Sequence, residues 1–145
     1  AKILAVDTSE HWINHVRTEA NAADRFDVDW VDLGAIGWAG RPNSFERRSQ
    51  FKEYIQSLWS RGAEPDLVLV DGRFRVACFL YSLAKAKPGC TILFDDYTNR
   101  PKYHLVEEFI QPTGFCGRQG HFRVPETLDR EAILAEADRF TYVMD

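Results

Sequence analysis

Five aspartates in this chain follow directly on short apolar runs. Asp7 ends "ILAV" (3–6), Asp32 ends "FDVDWV" (26–31), Asp71 ends "DLVLV" (66–70), and Asp95 and Asp96 end "CTILF" (90–94). A carboxylate at such a point can favour the start of the next helix, accept hydrogen bonds from a ribose diol, hold a divalent cation or pair with an arginine. Asp7, after an early strand and before a helix, suits ribose recognition as well as capping, and Asp32 could touch an adenine or simply end its strand. Asp71, Asp95 and Asp96 form a denser group. Carboxylates on neighbouring strand ends repel one another, so they must be separated, protonated, paired with cations or bound to a metal. Oxygen-only ligation with few protein ligands suits Mg²⁺. Against that, Arg73, Arg75 and Arg100 lie close in sequence and could take the same carboxylates as bidentate partners.

Other residues have chemistry open to them near the same points. His104 follows the acid pair and could act as a general base, or only decorate its helix. Trp38 and Tyr97 are placed where an aromatic or sugar substrate could stack, or where a loop could pack. His11 and His15 have the i, i+4 spacing of a paired metal site, but the intervening "WIN" lacks the acid of H-E-x-x-H, so they read as an exposed helix face.

The elements that must position these residues follow from periodicity. Ile3 to Val6 is a strand, and Thr8 or Ser9 can cap a helix whose Trp12, Ile13, Val16 and Ala20 recur at helical spacing. "FDVDWV" alternates as a strand does, and the glycine-rich loop "GAIGWAGRPN" follows. A helix is expected from Asn43 or Ser44, its stripe being Phe51, Tyr54, Ile55, Leu58 and Trp59, closed by Gly62 and Pro65. "DLVLV" is the next strand, "RVACFLYSLAKAK" a helix stopped at Pro88-Gly89, "CTILF" a strand and "YHLVEEFI" (103–110) a short helix. "GFCGRQGHFRV" reads as a loop running into a strand, "LDREAILAEADRF" as a helix and "TYVM" as a final strand. Strands that alternate with helices and are apolar along their length predict an α/β fold, a three-layer sandwich around a mostly parallel Rossmann-like sheet covered on both faces. Ligands of such sheets sit at the carboxyl ends of the strands, so the aspartates should share one rim.

Composition agrees with one globular domain over 1–145, with 45% hydrophobic and 28% charged residues. A net charge of -4 without a basic run argues against nucleic-acid binding. No stretch approaches the ~18 apolar residues of a membrane span. The three cysteines are odd in number and widely spaced without C-x-x-C, as in reduced thiols of a cytoplasmic protein.

"PDLVLVDGRFRVACFLYSLAKAKPGCTILFDDY" followed by "YHLVEEF" resembles the second half of class I S-adenosylmethionine-dependent methyltransferases, and in particular a bacterial group of methyltransferase-like proteins. "ILAVDTSEHWINHVR" resembles the second strand and following helix of that fold, with Asp7 in the place of the ribose-binding acid. The likeness runs from residue 2 to about 125 and is most specific at "VDGRFRVA" and "LFDDY". It implies S-adenosylmethionine as cofactor and methylation of a hydroxyl on a small molecule or sugar. In the related macrocin-type and catechol-type O-methyltransferases, acids after the fourth and fifth strands bind Mg²⁺. Carried over, that implies Asp71, Asp95 and Asp96 as metal ligands, although Arg73 stands where the metal-binding sugar enzymes tend to be acidic.

Taken together, the residue readings and the resemblance give Asp71, Asp95 and His104 for catalysis and Asp7, Asp32 and Asp71 for the cofactor, with Arg73, Trp38 and Tyr97 toward the substrate. In that fold a first strand and a G-x-G loop come earlier and the strand lies at the sheet centre; no G-x-G occurs here. The chain therefore reads as the carboxyl portion of a longer domain, or as one completed by another segment, and an unpaired sheet edge would suit a homodimer. Two other readings compete. A haloacid-dehalogenase-type phosphatase would use Asp7 as nucleophile, but the D-x-D it requires is broken by Ser9. A Rossmann-like module that binds a nucleotide or partner without catalysis would fit the missing glycine loop.

Overall fold

The computed structural model describes residues 2–20 and 25–145. β1 (Ile3–Asp7) ends at its aspartate, and Ser9 Oγ then accepts the Trp12 N–H at 3.2 Å, which starts α1 (Glu10–Ala20) with the serine cap expected there. β2 (Phe26–Trp30) pairs parallel to β1, Ile3 opposite Phe26 and Asp7 opposite Trp30. The glycine-rich loop after β2 contains a 3-10 turn at Trp38–Gly40.

α2 (Phe51–Ser60) starts later than Asn43 or Ser44 and is preceded by a 3-10 turn, Arg48–Gln50. Ser44 Oγ accepts the Glu46 N–H at 3.3 Å, a local bond that competes with helix nucleation. The stripe Phe51, Tyr54 and Ile55 is buried as its spacing requires.

β3 (Leu67–Val70), α3 (Arg75–Lys85) and β4 (Thr91–Phe94) follow, with β3 and β4 parallel. The segment after β4 is a 3-10 helix, Pro101–Glu108, in place of an α-helix. Its two buried side chains, Tyr103 and Val106, are three apart, the spacing that eclipses in a three-residue turn. "GFCGRQGHFRV" is a hairpin: β5 (Gly114–Cys116) turns through Gly117, at φ 57°, into β6 (Gln119–Arg123). α4 (Arg130–Arg139) is capped by Asp129, whose side chain accepts the Ala132 N–H at 3.0 Å. "TYVM" is not a strand; its N–H groups continue the turns of the helix end, Thr141 to Asp138 and Val143 to Phe140.

The described strands form two sheets, β1-β2 and β3-β4-β6-β5. The mostly parallel expectation needs correction, since β6 runs antiparallel to both β4 and β5. A hairpin allows this reversal where a helical crossover would not. The described residues show one covered face of β3. Val70, Ile92, Phe94 and Phe122 pack with Phe79, Leu80 and Leu83 of α3 and Ile133 and Ala137 of α4. On the opposite side of β3, Leu67 and Leu69 are 58% and 59% exposed, so the described residues layer helices over one face of this strand only. A second cluster, Val31, Leu33, Phe51, Tyr54, Ile55, Phe74 and Ala77, joins the loop after β2 to α2 and the start of α3. No helix among the described residues is long and apolar enough to cross a membrane.

Candidate functional site

Between the carboxyl ends of β1 and β3 lies a cleft of about 300 Å³, lined by Asp7, Thr8, Ser9, Trp12, Ala39, Gly40, Tyr54, Gly72 and Arg73. Three chain segments build it, and close approach fixes how they meet. Thr8 Oγ1 donates to the Gly40 carbonyl at 2.9 Å. A Cβ on Gly40 would stand 2.4 Å from that Oγ1, and Gly40 has φ +76°, so only glycine fits against the β1–α1 turn. Gly72 is held in the same way by Tyr54, whose hydroxyl oxygen would be 2.3 Å from an added Cβ and accepts the Arg73 N–H at 3.3 Å. Burial pushes the Tyr54 phenol well above its ordinary pKa, with Cys78 and Asp7 adding to the rise, so the hydroxyl stays protonated.

Asp7 turns back on its own chain. Its Oδ1 accepts the Ser9 N–H at 2.7 Å, which leaves Oδ2 without a protein donor among the described residues. Asp32 behaves differently: it accepts the Gly34 N–H at 2.9 Å, pairs with Arg47 at 2.9 Å and does not line the cleft. Asp7 ends β1 and Asp32 lies two residues past β2, and only Asp7 is placed beside the cleft.

The other acids gather around Arg75. Its guanidinium donates to the carbonyls of Gly72 (3.0 Å), Asp95 (3.0 Å) and Asp71 (3.2 Å), and pairs with Asp96 Oδ2 (3.1 Å) and Asp71 Oδ1 (3.2 Å). Arg100 lies 2.8 Å from Asp96 Oδ2 and Arg118 3.0 Å from Oδ1. Asp96 takes the left-handed conformation, φ 57°, which turns its carboxylate and the preceding carbonyl onto one arginine. Burial and the neighbouring Asp95 carboxylate raise the Asp71 pKa above the aspartate range, with Arg75 acting the other way.

This donor set does not fit the Mg²⁺ site carried over to Asp71, Asp95 and Asp96. Arg75 and Arg100 occupy Asp96 Oδ2, Arg75 takes one Asp71 oxygen, Arg118 stands 3.0 Å from Asp96 Oδ1 without a hydrogen bond to it, and no group of three or more metal-ligating side chains is gathered among the described residues. Of the two readings open in the sequence, arginine pairing is the one that formed.

The expectations for Tyr97 toward the substrate and His104 for catalysis change as well. The Tyr97 ring is buried against Phe94 and Phe122 and its hydroxyl donates to Glu107 at 2.6 Å, so it cannot stack on a ligand. His104 lies on the outer side of that ring, 4.7 Å between centroids, with Nε2 at 3.0 Å from the Tyr97 carbonyl, and lines neither cleft. Trp38 is 82% exposed and stands beside the Arg73 guanidinium, 5.8 Å from ring centroid to Cζ. It also lines a second cleft of about 320 Å³ with Gly37, Arg41, Pro42, Asn43 and Met144. Arg73 is 7% exposed, donates from Nε to the Ala39 carbonyl at 2.9 Å, and has its pKa lowered by burial and by Arg75.

Sequence reasoning passed over Thr8, Tyr54 and Gly72 as site residues. Tyr54 looked like any member of an apolar helix stripe, and only the glycine in "VDGR" hinted that something approaches the backbone there.

No family model matches the chain, and no curated protein matches it. Among solved structures, a methyltransferase-like protein from Silicibacter pomeroyi DSS-3 is similar over 97% of this chain and 76% of that one, at a TM-score of 0.84 and 29% sequence identity. The fold is methyltransferase-like. In a methyltransferase-like domain the described strands place Asp7, Gly72 and Arg73 around one cleft at their carboxyl ends, where α/β sheets take their ligands.

Proposed function

We propose that this domain binds S-adenosylmethionine in the cleft between β1 and β3 and serves methyl transfer to a hydroxyl of a small molecule or sugar. The observation that carries the reading is Asp7: it ends a parallel strand, lines the cleft and keeps Oδ2 free of protein donors among the described residues. That is the acceptor a ribose diol requires. Gly40 and Gly72 let the Thr8 and Tyr54 hydroxyls seat against the backbone on either side of the cleft. When bound, the cofactor supplies a methyl group made electrophilic by its sulfonium. Asp7 would orient the nucleoside through its hydroxyls. The Asp71–Asp95 pair at the ends of β3 and β4 would take the proton that an attacking hydroxyl gives up, because burial and the neighbouring carboxylate raise proton affinity at Asp71. Holding acceptor and methyl in line would provide much of the rate.

The test is thermal unfolding with S-adenosylhomocysteine. The midpoint should rise with ligand concentration, about 2.7 kcal/mol of added stability at a hundredfold excess over Kd, and Asp7→Ala should remove most of the rise. No rise at saturating ligand refutes the reading. A second reading keeps the same Asp7 cleft for a module that binds a nucleotide without catalysis. Binding without methyl transfer across hydroxylated acceptors would select it.

A further inference from the structure

The two arginines of "DGRFR" receive opposite treatment. Arg75 has an acceptor for every arm of its guanidinium. Arg73 is almost as deeply buried, yet its only side-chain hydrogen bond runs from Nε to the Ala39 carbonyl at 2.9 Å, and it forms no ion pair among the described residues. The nearby Asp145 is used elsewhere: Oδ1 accepts the Arg75 N–H at 3.1 Å and Oδ2 faces Lys102 at 3.8 Å. A guanidinium withdrawn from water without a carboxylate is costly to keep. The fold nevertheless holds it in place at both ends. Ala39, which accepts from it, has φ 51°, and Phe74, the next residue, has φ 53°; both are left-handed without being glycine. Such strain persists where the surroundings enforce it, often at ligand sites.

We propose that Arg73 is the oxyanion receptor of this cleft, and that the ligand bound there presents a carboxylate or phosphate to its two terminal nitrogens. The proposal rests on reading the rim as a small-molecule site and is independent of methyl transfer. A planar fork matches either oxyanion bidentately. Arg73 lines the cleft, and Trp38, 5.8 Å away, flanks the guanidinium. Asp7 lines the same cleft, so the ligand offers hydroxyls or other donors to Asp7 and its anionic group to Arg73.

The experiment is thermal unfolding at constant ionic strength with inorganic phosphate and, separately, succinate, against chloride. The native protein should show a saturable rise with at least one of the two, and the one with the lower half-saturation names the oxyanion. Arg73→Gln should weaken that response at least tenfold. Arg73→Lys, which keeps the charge and loses the fork, should weaken it severalfold, and it decides the question if the glutamine variant does not fold. A response no larger than chloride, or an equal one in the variants, overturns the proposal.

5′-Methylthioadenosine, which has the nucleoside but no carboxylate, separates the two readings. A rise with it and none with phosphate or succinate sinks the Arg73 receptor alone. A phosphate or succinate response lost in the variants, with none to the nucleoside or to S-adenosylhomocysteine, supports the receptor and sinks the cofactor reading.

Discussion

In the four-stranded sheet Ile92, Phe94 and Phe122 are fully enclosed, whereas in the two-stranded sheet only Val28 reaches the interior, and Ile3 and Trp30 are 52% and 42% exposed. The difference comes from what each sheet packs against. Phe79 of α3 stacks on Phe94 at 5.1 Å and meets Phe122 edge-on at 4.7 Å, and Tyr103 stacks on Phe94 at 4.8 Å. β1 and β2 have α1, through the buried Ile13, and are tied from outside by Arg61 of the turn after α2, which pairs with Asp27 and Asp29, and by Arg17, which donates to the Val28 carbonyl at 2.8 Å. A two-stranded sheet is marginal by itself. The cleft between the sheets thus has one wall on the side of the densely packed sheet, where Tyr54 belongs to the second cluster and holds the Gly72–Arg73 turn, and one set by surface ties and the Thr8–Gly40 bond.

The largest effect expected from this contrast is at Phe79. Phe79→Ala should cost about 3–5 kcal/mol in urea unfolding, while Ile13→Ala should cost about 2 kcal/mol because the lighter half gives way around the lost side chain. Equal losses would break the comparison. The rim acids should divide similarly. Asp96→Asn removes the buried carboxylate shared by three arginines, of which, among the described residues, Arg75 alone keeps another in Asp71, and should cost about 3 kcal/mol. Asp32→Asn removes one exposed pair with Arg47 and should stay below about 0.5 kcal/mol. A small loss at Asp96 would mean that the arginine cluster does not anchor the dense wall.

Asp71 should give the smallest effect and the one that depends on pH. Its raised pKa means that the folded state disfavours the charged carboxylate, so Asp71 weakens the fold above the raised value. That penalty fades as pH falls toward the unfolded-state pKa. Asp71→Asn should therefore gain more stability near about pH 7 than near about pH 3. A gain that is equal at both, or larger in acid, would show that the Arg75 pair outweighs burial and Asp95.

The strand ends that carry the rim were legible in the sequence. The breaks after "ILAV", "DLVLV" and "CTILF" placed acids at parallel strand ends, and of the two expected cap candidates, Thr8 and Ser9, it is Ser9 that caps α1. What could not be read was pairing. Asp96 and its arginines are distributed along the chain, so whether three guanidinium groups or a metal meets the carboxylate depends on a turn conformation at Asp96 that composition does not report. Tyr97 carries the same ambiguity: an aromatic after a strand end can face a ligand or the core, and Phe122 of a strand far along the chain decided for the core.

By itself the amino-acid order determined the local elements and their polar ends, because hydrophobic period, caps and breakers act over a few residues. Tertiary structure decided the direction of β6, the burial of Tyr97, the arginine capture of Asp96 and the solitary guanidinium of Arg73. These depend on which surfaces meet after distant segments pack, and strand polarity and long-range charge pairing leave no periodic trace along the chain.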